Sequence, residues 1–295
     1  MIYITGDTHG AFERVKTLCR VMHTTNDDTL VILGDAGINF NDEETDRKKK
    51  EILSSLPITV FTIQGNHDMR PAHRDSYRIV DYRGGKVWVE ENYPNILFAR
   101  DGDIYNFDGY KCLVVGGAYS VDKLLRIKRG WPWFEDEMPD EEIKKRTEQS
   151  LEACSRTLDY VFSHTTPYKL IPRDSINNQM QTESWWSTDN STEWWLQDIY
   201  DSITLRKLWY AGHMHVNKRM IDLQILFEYC TILGADVPFD VYDEIRDFDG
   251  VRAVIEINDR DGNLYAKTIN LPDEIRVVGN SMEQVGKKIR ERTEK

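Results

Sequence analysis

Short apolar runs that end abruptly in small or polar residues recur along the chain. The first three cover residues 2–5, 29–33 and 58–63, and each is followed closely by a glycine next to an aspartate or asparagine. Further runs of this kind cover residues 112–115, 160–162 and 208–210. Such short runs, rich in Val, Ile and aromatic residues, predict buried strands.

Helical patterns separate the first three predicted strands. Apolar positions recur at helical spacing over residues 12–23, and a charged segment over residues 42–56 carries Ile52, Leu53 and Leu56 on one side. Strand, helix and strand at a spacing of about thirty residues predict the parallel sheet of an α/β fold. Ligand-binding residues of such sheets gather at the carboxyl ends of the strands.

Two stretches interrupt this pattern. The sequence predicts one domain over residues 1–270, with insertions at about 120–155 and 167–205 that form a cap, followed by a charged helix or tail over residues 271–295. The elements predicted after the last block of histidines are three β ribbons and a charged helix, over residues 223–233, 251–257, 264–269 and 281–295.

Composition and charge narrow the class of protein. The 295 residues are 40% apolar and 30% charged, which excludes disordered and low-complexity chains. The net charge of −12 disfavours binding to long nucleic acids or anionic membranes. The four cysteines form no C-x-x-C pair, no apolar run approaches the roughly 18–20 residues of a membrane span, and the first residues lack signal-peptide features. We therefore expect a cytoplasmic protein that does not contact a membrane.

Residues able to bind metal follow the predicted strands. Five of the seven histidines lie just beyond strand ends, together with aspartates and an asparagine. The residues of this kind are Asp7, His9, Asp35, Asn66, His67, Asp68, His164, His213 and His215. Each block alone has a structural explanation, such as a turn, a cap or a hydrogen-bonded core histidine. Five blocks in succession, each after a strand, favour a metal site.

The ligand types and their spacing indicate a dinuclear centre. Imidazole and carboxylate ligands suit Mn, Fe, Zn or Ni, of which we expect Mn, rather than Ca or a thiolate centre. Asp7 and His9 lie two residues apart, as do His213 and His215, so on extended backbone each pair points the same way. Two neighbouring ions need a bridging carboxylate and further ligands on each. The set that meets this count is Asp35 as the bridge, Asp7, His9 and His215 on one ion, and Asn66, His164 and His213 on the other.

The five blocks are, in order, Gly6-Asp7-Thr8-His9-Gly10, Gly34-Asp35, Gly65-Asn66-His67-Asp68, Ser163-His164 and Gly212-His213-Met214-His215. In this order they resemble the blocks of the calcineurin-like metallophosphoesterase superfamily. The resemblance covers about residues 1–235. It implies a four-layer α-β-β-α sandwich of two mixed sheets flanked by helices, with the same metal ligands at one edge. It also implies hydrolysis of a phosphate ester by a hydroxide that bridges two ions, with His67 protonating the leaving oxygen. Asp68, the neighbour of His67 in the sequence, is a candidate for orienting it.

One block departs from a branch of that superfamily. Ile38 stands where the Ser/Thr protein phosphatases have an aspartate that orients the catalytic histidine, and Asn39 stands where they have a phosphate-binding arginine. This departure argues against a typical protein phosphatase. Arg70, Arg126 and Arg129 are candidates for the missing phosphate contact, with an ordinary surface position as the alternative for each.

Aromatic residues are dense in the two insertions. They are Trp131, Trp133, Phe134, Trp185, Trp186, Trp194 and Trp195. They form either a cap that stacks on a base or an apolar leaving group, or a small separate core, and we favour the core. The acidic run over residues 135–142 is interpreted as the solvated start of a helix that begins at Glu141.

These observations predict a metal-dependent phosphomonoesterase for a small phosphorylated metabolite, a nucleotide or a phosphoprotein. Two alternatives stay open, namely a phosphodiesterase or nuclease for cyclic or short nucleotides, and a non-catalytic phosphate-binding module. The full ligand set and His67 argue against the binding module. A closed, Trp-lined pocket with an arginine at its base favours monoesters, whereas an open groove favours diesters.

Overall fold

The apolar runs of the sequence form strands in the computed structural model of this protein. The structure describes residues 1–173, 188–235, 238, 244–257, 264–268, 271 and 275–293. The chain divides into two units, one of residues 1–12 and 25–239 and one of residues 13–24 and 240–295. The domain boundaries and the cap drawn from the sequence stay predictions. Residues 174–187 of the second insertion, with Trp185 and Trp186, lie outside the described residues.

The larger unit contains a seven-stranded mixed sheet. Its strands, numbered along the whole chain, are β1 (Ile2–Thr5), β2 (Thr29–Ile32), β3 (Thr59–Thr62), β4 (Tyr77–Tyr82), β5 (Gly85–Glu90), β6 (Ile96–Ala99) and β13 (Cys230–Ile232), in the order β13-β1-β2-β3-β6-β5-β4. β1, β2, β3 and β6 run parallel, as the strand and helix spacing predicts. Ile2 pairs with Thr29 and Thr29 with Thr59, so the first three strands end level with one another.

A second mixed sheet of the same unit carries the later blocks. Its strands are β7 (Ile104–Phe107), β8 (Tyr110–Val115), β9 (Thr157–Ser163), β10 (Thr204–Ala211), β11 (Lys218–Arg219) and β12 (Leu223–Ile225), in the order β11-β12-β10-β9-β8-β7. β8, β9, β10 and β12 run parallel. The ribbon predicted over residues 223–233 is divided, because β12 joins this sheet and β13 joins the first.

The two sheets pack face to face with helices outside. The helices of the described residues are α1 (Glu13–Met22), α2 (Glu43–Ser54), α3 (Lys123–Arg129), α4 (Glu141–Ala153), α5 (Ser191–Ser202) and α6 (Met282–Thr293), with short 3-10 turns at Pro71–His73 and Tyr168–Leu170. Phe61 and Phe107 are fully buried in the core between the sheets, where each ring contributes about 1.5–3 kcal/mol. Leu151 of α4 and Leu196 and Ile199 of α5 pack on the outer face of the second sheet, and α2 lies against β6. The predicted four-layer sandwich is confirmed.

The smaller unit contains α1, an antiparallel sheet and the C-terminal helix. The strands are β14 (Glu244–Phe248), β15 (Val251–Ile257), β16 (Leu264–Thr268) and β17 (Arg276–Gly279), paired in chain order. Val285 and Ile289 of α6 pack against Ala253, Ile255 and Ala266. The ribbons predicted at residues 251–257 and 264–269 and the terminal helix are therefore confirmed. None of the described helices has the length and apolar character that crossing a membrane requires.

Candidate metal centre

The residues that follow β1, β2, β3, β9 and β10 come together at one edge of the larger unit, and the glycines of the blocks make this possible. A Cβ atom at Gly34 would lie 2.2 Å from Nδ1 of His164. A Cβ atom at Gly65 would lie 2.0 Å from Oδ1 of Asp35. Both distances are far shorter than van der Waals contact, so only glycine allows these approaches. The glycine of one block is thus required by the ligand-type residue of another.

Asp7, His9 and His215 form a first group. Nε2 of His215 lies 3.2 Å from Oδ2 of Asp7 and 3.1 Å from Nε2 of His9. The Asp7 carboxylate is buried, whereas both imidazoles are about one third exposed. Oδ1 of Asp7 accepts the backbone N–H of His213 at 3.0 Å, which holds the carboxylate in place. The group therefore presents one fixed carboxylate and two imidazoles to the same point.

Asp35 lies between this group and a second one. Its Oδ2 is 3.9 Å from Nδ1 of His9, and its Oδ1 is 3.7 Å from Nε2 of His164. Oδ1 also accepts the backbone N–H of His67 at 2.8 Å. The ligand atoms of Asp7, Asp35 and His164 all lie within 4.8 Å of one another. A carboxylate within reach of nitrogen ligands on two sides has the placement that a bridging ligand needs.

His164 and Asn66 face each other with their lone pairs. Nδ1 of His164 donates to the carbonyl oxygen of Leu33 at 2.7 Å, so the neutral ring has its lone pair on Nε2. Nδ2 of Asn66 donates to Oγ of Ser120 at 2.8 Å, which turns its Oδ1 toward Nε2 of His164, also at 2.8 Å. Nε2 of His164 and Oδ1 of Asn66 are thus directed at one point, as two ligands of one cation are. The donor set therefore fits a divalent ion.

The backbone at the site is strained at four of the predicted ligands. Left-handed φ angles of 48°, 49°, 61° and 49° occur at His9, Asp35, His213 and His215. Residues with a Cβ atom rarely adopt this region, which costs on the order of 1–3 kcal/mol at each position, and such positions cluster at functional sites. This clustering supports a functional role for the ligand-type residues independently of their side chains.

The buried charges of the site also favour binding of a cation. Burial raises the pKa of Asp35 well above its usual value, and the carboxylates of Asp7 and Asp68 raise it further. Burial opposes ionisation of Asp7 as well, but a hydrogen bond from His215 brings the pKa of Asp7 below its usual value. Burial lowers the pKa of His213 to about 3, which keeps its imidazole neutral. A divalent ion would stabilise the ionised form of Asp35 and accept the neutral imidazoles as ligands.

His67 lies beside Asp35 and is covered by an arginine. Nη2 of Arg126 lies 2.7 and 2.8 Å from the two ring nitrogens of His67. Arg126 is only 5% exposed, and it also binds the Asp122 carboxylate at 2.7 Å and the Pro132 carbonyl oxygen at 3.0 Å. Burial and then the charge of Arg126 lower the pKa of His67. The ring accepts a hydrogen bond from a guanidinium, which argues against a metal ion on His67, although Asp35 lies within 3.7 Å.

A family model described as calcineurin-like phosphoesterase matches residues 1–217, a range that contains every residue of the site. The chain belongs to this family. Members of the calcineurin-like phosphoesterase family are generally metal-dependent hydrolases of phosphoric esters, and they typically bind two metal ions. The donor set at the strand ends of this phosphoesterase fits that requirement.

Several solved structures are similar to this phosphoesterase. TT1561 of Thermus thermophilus matches with a TM-score of 0.49 and 13% identity, over 81% of this chain and 96% of that one. A novel archaeal phosphodiesterase matches with a TM-score of 0.27 and 9% identity, over 94% and 99% of the two chains. Vps29 of Chaetomium thermophilum matches with a TM-score of 0.25 and 9% identity, over 94% and 95%. No curated protein matches the sequence.

Asp68 of this phosphoesterase supports a loop rather than the ring of His67. Its buried carboxylate accepts three backbone N–H groups, from Ala36 and Gly37 at 3.3 Å and from Gly65 at 3.1 Å. These bonds tie the second block to the third. The interpretation that Asp68 orients His67 therefore has no support in its contacts, because the carboxylate of Asp68 is directed at the backbone.

The three candidate arginines have different surroundings. Arg126 lies at the site, whereas Arg70 donates to the Asp101 carboxylate at 2.7 Å and to the Asp136 carbonyl oxygen at 2.8 Å. The exposed guanidinium of Arg129 stacks on Trp131 at 4.8 Å. Arg70 thus fastens the first insertion to the sheet, and Arg129 lies on the surface. Arg126 is the candidate that lies against His67.

The second block contributes no phosphate contact at the two positions where it departs from the protein phosphatases. Ile38 and Asn39 are both completely buried. Oδ1 of Asn39 accepts the hydroxyl of Tyr77 at 3.1 Å, which directs it into the protein. Arg126, more than eighty residues later on α3, is the cation that lies next to His67 instead.

The described tryptophans do not line the metal centre. Trp194 stacks on Tyr168 with ring centres 3.9 Å apart, and Trp195 packs against the outer core of the second sheet. The indole of Trp133 donates to Glu137 at 2.9 Å and lies under the ammonium of Lys123. These contacts are those of packing residues; the cap and the separate core both stay predictions.

Ser120 and Glu137 connect the first insertion to the metal centre. Oγ of Ser120 accepts a hydrogen bond from Nδ2 of Asn66. The same hydroxyl donates a hydrogen bond to Oε2 of Glu137 at 2.6 Å. Oε1 of Glu137 accepts the backbone N–H of Ser120 at 3.1 Å. Glu137 is 2% exposed, so the interpretation of residues 135–142 as a solvated run is wrong for this residue. The sequence missed both residues, because only the fold brings them to Asn66.

We expect Ser120→Ala and Glu137→Gln each to lower the affinity of the metal-free chain for Mn about 10–100-fold at one of two sites. Both changes release the amide of Asn66, whose oxygen then no longer faces His164. Isothermal titration with MnCl₂ measures the effect directly. Glu142→Gln is the matched control, because the Glu142 side chain is 82% exposed and pairs with Arg146 on α4. Unchanged affinity in both test variants would contradict the role of this network.

Proposed function

We propose that this chain hydrolyses phosphate monoesters, with two divalent ions and His67 as the general acid. The observation that carries the proposal is Arg126, a buried cation in contact with His67 at the metal centre. A buried arginine beside the catalytic groups binds a highly charged phosphoryl group better than a diester. A small phosphorylated metabolite or a phosphoprotein is the substrate class we propose.

Seven residues would hold the two ions, which we propose to be Mn. Asp35 would be shared by both ions, Asp7, His9 and His215 would hold one ion, and Asn66, His164 and His213 would hold the other. When bound, two such ions activate water as a nucleophile and neutralise charge on the phosphoryl oxygens. The chain contributes the fixed orientation of each ligand, through the backbone bonds to Asp7, Asp35 and His164.

Arg126 would bind the phosphoryl group. Its Nε is held by Asp122 and its Nη1 by the Pro132 carbonyl oxygen, so the guanidinium has one orientation. Nη2 then points to His67, and it is the donor available to a phosphate oxygen. A monoester has more unsubstituted oxygens and more negative charge than a diester. The same arginine therefore stabilises a bound monoester more strongly.

His67 would protonate the leaving oxygen. In the structure its ring accepts a hydrogen bond from Arg126, which disfavours the protonated form. A phosphate oxygen is a stronger acceptor for the guanidinium than a neutral imidazole is. Binding of the substrate therefore frees the ring of His67 to carry a proton toward the leaving group.

The test compares a monoester with its diester. Chelator-treated protein is reconstituted with Mn, and hydrolysis of p-nitrophenyl phosphate and of bis(p-nitrophenyl) phosphate is measured. We expect a preference for the monoester, and we expect Arg126→Ala to lower kcat/KM for the monoester about 100-fold and to lower that for the diester less.

Arg129→Ala is the control for Arg126→Ala. Arg129 lies three residues away on the same helix, but its side chain stacks on Trp131 at the surface, so both esters should be hydrolysed as by the unmodified chain. Preference for the diester would overturn the proposal in favour of a phosphodiesterase. Stoichiometric Mn binding without turnover of either ester would overturn it in favour of a binding module.

A further inference from the structure

Two phenylalanines lie on the His67 side of the metal centre. The ring of Phe40 stacks on the imidazole of His67, with centres 5.8 Å apart and planes at 22°. The edge of Phe134 meets Phe40 with centres 6.5 Å apart. The guanidinium of Arg126 lies 5.3 Å from the centre of the Phe40 ring. We call Phe40 and Phe134 the aromatic flank.

The aromatic flank has a fixed position. The backbone N–H groups of Phe40 and Asn41 both donate to Oδ1 of Asp46, at 3.3 and 3.0 Å. Asp46 is 1% exposed, and its other oxygen binds Arg74 at 2.8 Å. A buried carboxylate with an arginine partner thus anchors the loop that carries Phe40. This phenylalanine is held against His67 by the fold and is not a loosely placed surface residue.

Both residues of the aromatic flank are only partly buried. The apolar surface of a ring is normally buried, and exposed apolar surface at a binding site commonly contacts a ligand. The flank also lies where a leaving group must pass, because His67 is the group that we propose protonates the leaving oxygen. The part of the substrate attached to that oxygen would therefore contact Phe40 and Phe134.

We infer that the leaving group of the substrate carries a planar aromatic ring close to the leaving oxygen. This inference rests on the phosphomonoesterase function proposed above. Phe40 and His67 are already parallel, and the Arg126 guanidinium lies against the same ring. Planar groups add to such a stack through offset or edge contacts that an aliphatic chain of equal area does not make. Phe40 and Phe134 are thus the residues that determine specificity.

The test uses two esters that differ only in the character of one ring. Benzyl phosphate and cyclohexylmethyl phosphate both release a primary alcohol, and both place a six-membered ring at the same distance from the leaving oxygen. With the Mn-loaded chain we expect kcat/KM for the benzyl ester to exceed that for the cyclohexylmethyl ester about two- to tenfold. Phe40→Leu and Phe134→Leu should each move this ratio toward one.

The ratio separates specificity from a general loss of structure, since a partly unfolded enzyme loses both activities together. Trp194→Leu is the control, because Trp194 is also partly exposed but stacks on Tyr168 from its place in α5, and it should keep the ratio of the unmodified chain. Equal hydrolysis of both esters, or a ratio that neither leucine variant alters, would overturn the inference and leave the phosphatase function standing. Hydrolysis of neither ester with Mn bound would overturn both.

Discussion

Asp35→Asn is expected to lower kcat for a phosphate monoester about 1,000-fold without unfolding the chain. Asp35 is the carboxylate within reach of His9 on one side and of His164 on the other, so the change weakens the binding of both ions. The amide oxygen of asparagine can still accept the backbone N–H of His67, which preserves the loop. Steady-state kinetics at saturating Mn, with the metal content measured by atomic absorption, give both quantities.

Although Asp35→Asn should lower the activity, it should raise the stability of the metal-free chain. Asp35 is buried near the carboxylates of Asp7 and Asp68, and its pKa is raised. The folded chain therefore holds a proton that the unfolded chain has released, so the contribution of Asp35 to stability falls as pH rises from about 4 through the raised pKa. At pH 8 in a chelator, Asp35→Asn should melt at a higher temperature than the unmodified chain. A lower melting temperature in the chelator would contradict the cost of burying the Asp35 charge. Unchanged metal content in the kinetic sample would contradict the role of Asp35 as the bridge.

His67→Ala is expected to lower kcat for benzyl phosphate about 100- to 10,000-fold, and to lower kcat for p-nitrophenyl phosphate much less. The reason lies in the leaving group. A p-nitrophenolate leaves readily without a proton, whereas a benzyl alkoxide needs one from a general acid. The dependence of kcat on the acidity of the leaving alcohol should therefore become steeper in the variant. A series of aryl and benzyl phosphates measures this slope.

The metal content distinguishes the roles of His67. The ring accepts a hydrogen bond from Arg126, so His67→Ala should bind Mn with the stoichiometry of the unmodified chain. Equal losses for the benzyl and nitrophenyl esters, accompanied by loss of an ion, would identify His67 as a ligand and not as the acid.

The ligand-type residues could be found from the sequence because their signal is local. Each follows a short apolar run and a glycine or a small polar residue, and strands that run parallel must end at one edge. The register of Ile2 with Thr29 and of Thr29 with Thr59 brings this about. The sequence does not show why these blocks need glycine. Glycine is needed because Gly34 lies close to His164 and Gly65 lies close to Asp35.

The supporting residues could not be found in this way because their partners are distant in the chain. Phe40 meets His67 only when β2 and β3 have paired, and Ser120 meets Asn66 only after the two sheets have packed. Glu137 looks like part of an acidic surface until Ser120 and Trp133 are seen to donate to it. A pattern of charge or hydrophobicity describes a residue by its neighbours in sequence, and these residues are defined by contacts across the fold.

Two strands after the third block, β4 and β5, were missed for a related reason. Positions along β5 alternate between buried and half-buried, β4 is largely exposed, and the two join at a tight turn at Arg83 and Gly84, both with left-handed φ angles. Such strands lie toward the edge of a sheet, where one face meets solvent, and they lack the continuous apolar run of a buried parallel strand. β4 is indeed the last strand of its sheet.

The left-handed backbone at His9, Asp35, His213 and His215 also determines when metal can enter. Hydrogen bonds to the backbone orient Asp7, Asp35 and His164, so an ion would bind to ligands that the fold itself positions. Zinc fingers differ, because there the ion and the fold form together. In the present chain we expect ions to exchange while it stays folded, each adding stability only in proportion to the logarithm of its free concentration relative to its dissociation constant. The metal found in a purified sample should consequently reflect the medium from which the protein was purified. Competition between ions at known concentrations would identify the metal that the site prefers.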